Sequence, residues 1–114
     1  MSMDLNIINN LIIELKRGTQ ILAVLSQLKN NQYGYSLLQA LEEKGVNIEA
    51  GTLYPLLRRL ESQGLLQSEW DTTESRPRKY YILSKDGLDT YNTLIEEWRK
   101  IVLEMDLIIK EENK

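Results

Sequence analysis

The strongest pattern in the sequence is an apolar repeat between Lys85 and Lys114, where bulky side chains recur at alternating steps of three and four. This spacing predicts one long helix with a heptad seam along its length. A second apolar row, at Leu94, Ile101 and Ile108, lies beside the seam. Such a face is too wide for one small domain to cover, so we expect a second copy of the chain to pack against it. The seam consists of Leu88, Tyr91, Ile95, Trp98, Val102, Met105 and Ile109.

The beginning of the chain is also apolar at helical spacing. Three residues there are expected at the same interface between copies, namely Leu5, Ile8 and Ile12. The pattern continues beyond Gly18, which together with Thr19 fits either a break capped by Thr19 or a glycine tolerated inside one helix. We expect one helix from Asp4 to Leu28, kinked at most.

Two shorter helical segments follow. The first opens at Tyr33 and ends at Gly45, and the second runs between Glu49 and Gly64, where glycine supplies a left-handed stop. Two short helices joined by a short glycine-containing turn form the helix-turn-helix arrangement. The sequence therefore predicts such a unit, with the segment after Glu49 as its second helix.

The two sides of this second helix differ in chemistry. The opposite side from the core carries small residues, Pro55 and two arginines, Arg58 and Arg59. Small residues let a helix approach another surface closely, and arginine suits phosphates or guanine edges. Taken alone, the helix is equally compatible with DNA contact and with an ordinary solvated surface. The core side is a leucine stripe made of Leu53, Leu56, Leu57 and Leu60.

An extended pattern replaces the helical one after this helix. Two strand-like segments, Leu65–Trp70 and Arg78–Leu83, flank a polar, turn-prone stretch, which predicts a β-hairpin with a long tip. Basic side chains cluster near the tip at Arg76, Arg78 and Lys79. Alone, such a cluster is more often solvated. Directly after a helix-turn-helix unit, it favours a wing that grips the phosphate backbone while the helix lies in the major groove.

Hydroxyl groups extend this candidate surface. Thr52 and Tyr54 lie near the start of the second helix, and Tyr33 and Tyr35 lie at the start of the preceding one. A place in the core is an equally good interpretation for Tyr33. The residues that we expect to contact DNA are Tyr33, Tyr35, Thr52, Tyr54, Pro55, Arg58, Arg59, Arg76, Arg78 and Lys79.

The composition removes most catalytic chemistry. The chain has no histidine and no cysteine, so the usual general base, the thiol nucleophile and the common zinc ligands are missing. Phosphate-binding and dinucleotide-binding glycine motifs are also missing. We therefore expect no enzyme activity, no catalytic residue, no metal and no cofactor. The longest apolar run, Ile21–Leu25, is too short to cross a bilayer, so we expect a cytoplasmic protein with no membrane partner.

The net charge of -3 argues mildly against a nucleic-acid partner. Its distribution weakens that argument, because the segment from Lys85 to Lys114 holds the whole acidic excess, and the rest of the chain is balanced. Phosphate binding depends on a local patch rather than on the total charge. We divide the chain into a winged helix-turn-helix domain at residues 1–84 and a dimerisation helix at residues 85–114.

The segment Gly51–Leu65, with the sequence GTLYPLLRRLESQGL, resembles the signature of the PadR family of transcriptional regulators. The segment Arg78–Ser84, RKYYILS, is similar to a second specific motif of that family. Weaker matches extend the resemblance from about Lys16 to Met105, and lie at Gly18-Thr19, Tyr33-Gly34-Tyr35 and Gly87.

The resemblance implies a DNA-binding dimer, with a recognition helix at about residues 50–63 and a wing at about residues 66–83. The single C-terminal helix is similar to that of the family's smaller subgroup. One departure is the wing tip, which lacks the glycine often found there. This affects the expected conformation of the tip but not its charge.

The resemblance also implies a role for Trp98. Some small members of the family bind flat aromatic or cationic compounds between the C-terminal helices of the dimer, on tryptophans at the position that Trp98 matches. Tryptophan suits such ligands through stacking and cation–π attraction, and Glu97 could balance a cation. The alternative, which we favour from the sequence, is that Trp98 simply packs in the heptad seam.

These features predict an α+β, mostly helical fold, a winged helix-turn-helix with a long C-terminal dimerisation helix. The function that they favour is sequence-specific transcriptional regulation by a homodimer, expected to be a repressor, on a roughly palindromic operator in double-stranded DNA. A planar aromatic or cationic effector at the dimer interface is a further expectation. The alternative function is a winged-helix module that binds a protein partner, which the acidic net charge favours slightly.

Overall fold

The structure, a computed structural model, describes residues 4–112. The outermost residues of both expected segments, 1–3 and 113–114, lie outside this range. The described chain forms, in order, α1 (Leu5–Arg17), α2 (Thr19–Ser26), β1 (Gln32–Tyr33), α3 (Gly34–Glu43), α4 (Ala50–Ser62), β2 (Leu66–Asp71), β3 (Arg78–Leu83) and α5 (Lys85–Glu112). The predicted mostly helical winged helix-turn-helix with a long C-terminal helix is confirmed.

The expectation of one N-terminal helix was wrong, because the chain forms two helices that meet at Gly18. Gly18 keeps right-handed helical dihedral angles, φ -67° and ψ -25°, so the break is mild. The Thr19 hydroxyl donates to the carbonyl of Lys16 at 2.7 Å instead of capping α2. A hydroxyl that bonds back to the preceding turn bends helices, and glycine offers little resistance to the bend.

The core lies between α2, α3, α4 and the inner face of the sheet. Leu53, Leu57 and Leu60 of α4 are buried as the leucine stripe predicts, and Leu56 packs partly against the same cluster. Tyr81 is the sheet's aromatic contribution. The buried cluster consists of Val24, Leu25, Leu28, Leu37, Leu41, Ile48, Leu53, Leu57, Leu60, Leu66 and Tyr81.

The sheet has three antiparallel strands in the order β1-β3-β2. The predicted hairpin is present, and its register places Leu66 opposite Leu83 and Asp71 opposite Arg78. Strand β1, by contrast, was not predicted. Its two residues pair with Tyr81 and Tyr80. A two-residue strand carries no period of its own, so only its pairing partner reveals it.

A tight joint connects the end of α4 to the start of α5. The Ser84 N–H donates to the carbonyl of Leu65 at 3.0 Å, and the Ser84 hydroxyl donates to the carbonyl of Gly64 at 2.6 Å. The same hydroxyl accepts from the N–H of Gly87 at 2.9 Å, so Ser84 caps the start of α5. Gly64 itself has φ +80°, as the predicted left-handed stop requires. The directions of α4 and α5 are therefore coupled through a few backbone atoms.

Helices α1 and α5 extend from the core, and with them the chain measures 60 × 33 × 23 Å. None of the described residues of α1 is buried, and Leu5 is 66% exposed. Along α5, Trp98 is 41% and Ile109 53% exposed. The other expected interface residues are exposed at Ile12, Leu88, Val102 and Met105, and half-buried at Ile8, Tyr91 and Ile95. No helix within the described range is long and apolar enough to cross a membrane.

The joint generates a prediction at Gly87. A β-carbon there would overlap the backbone carbonyl of Leu65, so Gly87→Ala must push α5 away from the end of α4. We expect a loss of about 2 kcal/mol in the free energy of unfolding, typical of overpacking at a rigid site. Urea denaturation at matched protein concentration measures it. Gly51→Ala is the control, because Gly51 lies in a helix with open space around its Cα and should gain stability. Equal stability of both variants would contradict the close approach.

Candidate nucleic-acid interface

The exposed side of α4 presents two arginines. Because the leucines at 53, 57 and 60 face the core, Arg58 and Arg59 lie on the outer surface, where both are exposed. Within residues 4–112 neither guanidinium takes part in a salt bridge. Two planar donors with their hydrogen-bonding capacity free of ion pairs are well suited to phosphates and base edges.

The first half of α4 is open to close approach. Thr52 and Pro55 are exposed, and an added β-carbon at Gly51 would meet no atom within 4 Å. A groove runs beside this half of the helix, and its lining includes Arg59 and, from the end of α1, Arg17. Arg17 was not predicted as part of the surface, since nothing in the sequence brings α1 next to α4.

Tyr35 and Tyr54 have different surroundings. Tyr35 is 69% exposed, and its hydroxyl accepts a hydrogen bond from the Gln39 amide at 3.2 Å, which leaves its own proton available. The ring of Tyr54 packs directly over Gly34, where a β-carbon would overlap it. Tyr54 therefore joins the start of α4 to the start of α3, and its partly exposed hydroxyl lies between the two helices.

Tyr33 is engaged where the two strands of the wing reach its tip. Its hydroxyl donates to Asp71 Oδ2 at 2.6 Å. The Arg78 guanidinium carbon lies 4.2 Å from the centre of the Tyr33 ring, and Tyr80 meets the same ring edge to face at 5.8 Å. Tyr33 is half-buried, so it is neither the free phosphate donor nor the core aromatic that the sequence allowed. It connects the start of α3 to both strands of the hairpin.

The ionisation of Asp71 reflects these bonds. Hydrogen bonds from the hydroxyl of Tyr33 and then from Thr73 lower the pKa of Asp71 to about 2, and the bond to Asp71 raises the pKa of Tyr33. A lowered carboxyl pKa contributes stability above the ordinary value of 3.8, and the contribution is lost as the pH falls toward 2. Ionised Asp71 thus accepts hydrogen bonds that hold the tip end of the wing's strands.

A second cluster connects α4 to the hairpin. Glu61 Oε2 accepts a hydrogen bond from the Ser68 hydroxyl, and Glu61 Oε1 lies 3.1 Å from Lys79 Nζ. The pKa of Glu61 is lowered, first by the bond from Ser68 and then by Lys79, and the bond to Glu61 raises the pKa of Lys79. Lys79, predicted to contact DNA, therefore has a carboxylate partner within the chain.

The wing tip carries the remaining charges. Arg76 is exposed, and the described part of the chain offers it no salt bridge. Arg78 lies 3.4 Å from Glu74 in a pair that is exposed on both sides. Exposed pairs of this kind contribute little energy, so the guanidinium of Arg78 can exchange Glu74 for another anion.

The acidic partners Glu61, Asp71 and Glu74 were missed by sequence reasoning. The hairpin register could have indicated Asp71. When Leu66 of β2 pairs with Leu83 of β3, Asp71 lies directly opposite Arg78. No local pattern indicates Glu61, which lies on a helix 18 residues from Lys79.

A small apolar cavity lies between α2 and α5. Its volume is about 290 Å³, and both Trp98 and Glu97 are among its lining residues, with Leu22 and Ile101. Glu97 is exposed and lies 3.3 Å from Lys100. Within the described range, no group of three or more acidic side chains is arranged to hold a metal ion.

Comparison with known proteins agrees with this geometry. The family model described as the transcriptional regulator PadR-like family matches residues 21–93. A transcriptional regulator of Mycobacterium tuberculosis is 39% identical over 75 residues, which cover 65% of this chain and 70% of that protein. A crystal structure of a PadR family transcriptional regulator from Eggerthella lenta superposes with a TM-score of 0.88 at 45% identity, over 91% of this chain and 93% of that one.

Bacillus subtilis PadR in complex with operator DNA shares the fold, with a TM-score of 0.62 at 20% identity over 66% of this chain and 46% of that one. These comparisons identify the same family as the motifs at Gly51–Leu65 and Arg78–Ser84. The chain therefore belongs to the PadR-like family, whose members are transcriptional regulators and not enzymes.

Proposed function

We propose that this chain is a transcriptional repressor that binds a roughly palindromic operator as a homodimer. The observation that carries the proposal is the exposed placement of Arg58 and Arg59 on α4, beside a wing whose tip presents Arg76. The Bacillus subtilis relative, which has the same fold, is bound to operator DNA in its solved structure, and this supports the same partner here.

In this proposal α4 lies in the major groove. The small and uncharged first half of the helix, with Thr52 and Pro55 on its outer side, permits close approach to the DNA. Arg58 and Arg59 then reach base edges or phosphates. Two such helices related by a two-fold axis read the same sequence on opposite strands, so the operator is roughly palindromic. The two half-sites then lie about one helical turn of DNA apart.

The wing and the tyrosines contact the phosphate backbone in this arrangement. Arg76 and Arg78 lie at the tip, and the exposed hydroxyl of Tyr35 lies at the start of α3. Tyr54 contributes through the exposed part of its ring. Tyr33 and Lys79 reach phosphates only if they exchange the acidic partners that they contact within the chain.

The homodimer is supported by the apolar surfaces of α1 and α5. Large apolar side chains are exposed along both helices in the single chain, including Leu5 and Leu11 on α1 and Ile101 and Met105 on α5. Two contiguous apolar helices on a small domain are typical of an interface rather than of a surface in water. We propose that α1 and α5 of one copy cover those of the other.

An effector site at this interface is the last part of the proposal. The cavity is lined by Trp98 of the exposed heptad seam and by Glu97, whose charge favours a cation. A planar aromatic cation between the two copies would change the distance between their α4 helices through the joint at Gly87. Regulation requires that the ligand bind the two arrangements with different affinity.

The DNA contacts are tested by Arg58→Ala/Arg59→Ala/Arg76→Ala. We expect the wild type to shift DNA from upstream of its own gene in a mobility assay and to bind less tightly as salt is added. The triple variant should lose about 100-fold in affinity and show a shallower salt dependence, because each lost phosphate contact removes about 0.9 from the slope.

The matched control is Arg99→Ala/Lys100→Ala/Lys110→Ala, which removes the same charge from exposed positions of α5. It should retain the affinity of the wild type. If both triple variants bind DNA equally weakly, the loss of affinity reflects net charge and not the proposed contacts. If the wild type gives no specific shift, the alternative function, binding of a protein partner, is favoured.

The dimer is tested by Val102→Glu/Met105→Glu, which places two charges in the heptad seam. We expect sedimentation to give the mass of one chain, and binding to a palindromic duplex to weaken at least tenfold, since each half-site then binds alone. The control Leu103→Glu/Leu107→Glu changes two residues on the other side of α5, both 65% exposed, and should remain dimeric. A dimeric seam variant would contradict the proposed interface.

The effector site is tested in the background Trp70→Phe, which leaves Trp98 as the only tryptophan. Titration with proflavine, a planar cation, should quench its fluorescence with saturation and weaken DNA binding in parallel. The same titration of Trp98→Phe, which keeps Trp70, should show no saturable quenching. If both variants respond alike, the cavity is not a ligand site.

A further inference from the structure

Glu61 is the residue of the DNA-facing region whose charge is least expected there. It lies in the last turn of α4, on the element proposed to enter the major groove. A carboxylate near phosphates is repelled, and its pairing with Lys79 also withdraws a cation from the DNA. If Glu61 acted only as a surface charge, it would therefore weaken DNA binding in two ways.

The contacts of Glu61 indicate what it does instead. One carboxylate oxygen accepts from Ser68 on β2, and the other lies 3.1 Å from Lys79 on β3. Both oxygens are thus engaged, on two different strands of the hairpin. The Glu61 and Lys79 side chains are 32% and 30% exposed, so water competes less for them than at a fully exposed pair.

The cluster is also connected to the core. Lys79 Nζ lies 5.4 Å from the centre of the ring of Tyr81, and Tyr81 is only 5% exposed. Beyond the cluster the two strands continue to Asp71 and Arg78 and then to the tip with Arg76. Glu61 therefore fixes the hairpin to α4 partway along its strands, and Tyr33 fixes it to the start of α3 near the tip.

We infer that Glu61 is a positioning residue for DNA recognition, which fastens the end of α4 to the wing through Ser68 and Lys79. The inference rests on the proposed function. In this role Glu61 sets where the wing tip meets the backbone relative to α4 in the groove. Glu61 thereby improves the discrimination of the operator from other DNA, although its negative charge opposes binding to any DNA. The bonds from Ser68 and Lys79 lower the pKa of Glu61, and the bond to Glu61 raises the pKa of Lys79, as expected for groups that stabilise each other's charged forms.

The role makes a prediction of opposite sign to that of simple electrostatics. Glu61→Gln keeps the shape of the side chain, removes its charge and leaves one oxygen to accept a hydrogen bond from either Ser68 or Lys79. It should bind a scrambled duplex at least as tightly as the wild type. It should bind the operator about tenfold more weakly, within the coupling range of side chains in contact. The operator here is a duplex selected by the wild-type protein from a random-sequence pool, and fluorescence anisotropy measures both affinities.

The matched control is Glu74→Gln. It removes the same charge from the wing, but Glu74 pairs with Arg78 of the same hairpin, and within residues 4–112 no hydrogen bond or salt bridge joins it to α4. It should tighten the binding of both duplexes to a similar extent. If Glu61→Gln behaves like Glu74→Gln, the positioning role is refuted.

A charge exchange separates positioning from folding. Glu61→Lys/Lys79→Glu conserves the net charge and restores an ion pair between α4 and β3. It should recover most of the operator preference that Glu61→Lys and Lys79→Glu each lose. No recovery in a variant with a wild-type thermal transition would refute the role. If the wild type itself selects no sequence from the pool, the proposed function fails first, which distinguishes the two failures.

The position of the wing has its own readout without DNA. In the background Trp98→Phe, the only tryptophan is Trp70, which lies directly opposite Lys79 in the hairpin. Glu61→Gln should change the emission of Trp70, whereas Glu74→Gln should leave it unchanged. An unchanged emission after Glu61→Gln would contradict a role in holding the wing.

Discussion

The leucine core is the constraint on which the rest of the structure depends. Leu53, Leu57 and Leu60 are almost fully buried against residues of α2 and α3, so α4 can rotate about its axis only by exposing them to water. Burial of each leucine side chain contributes about 2 kcal/mol, which is large compared with any contact on the outer surface. The position of Arg58 and Arg59 on the surface is therefore a consequence of packing on the opposite side of the helix.

The joint between α4 and α5 transfers that orientation to the long helix. The carbonyls of Gly64 and Leu65, which end α4, accept hydrogen bonds from Ser84, which begins α5. The close approach of Gly87 leaves no space for another residue at that position. A change in the packing of α5 thus reaches the end of α4 through backbone atoms rather than through a flexible linker. This gives the proposed dimer a direct physical route between its interface and its DNA-binding surface.

Acidic residues divide the basic side chains of α4 and the wing into two groups. Arg58, Arg59 and Arg76 have no salt bridge among the described residues, whereas Lys79 and Arg78 each have a carboxylate partner. We propose that the first group provides charge for phosphates and bases. Lys79 uses part of its charge to join the hairpin to α4, whereas Arg78 lies in an exposed pair and can exchange Glu74 for a phosphate. Such a division reconciles a DNA-binding surface with a net charge of -3.

Local sequence patterns predicted most of the helices and strands of this protein. Apolar periodicity, two left-handed glycines and the change to an extended pattern after residue 64 are local signals, and they identified α3, α4, the hairpin and α5. The same signals did not separate α1 from α2, because Gly18 keeps helical dihedral angles and Thr19 bends the chain by a single hydrogen bond. The pairing of charged and polar side chains, by contrast, follows from the tertiary structure. Tyr33 and Asp71 are 38 residues apart, and Glu61 and Lys79 are 18 apart, so their contacts depend on how the elements pack and leave no periodic trace in the sequence.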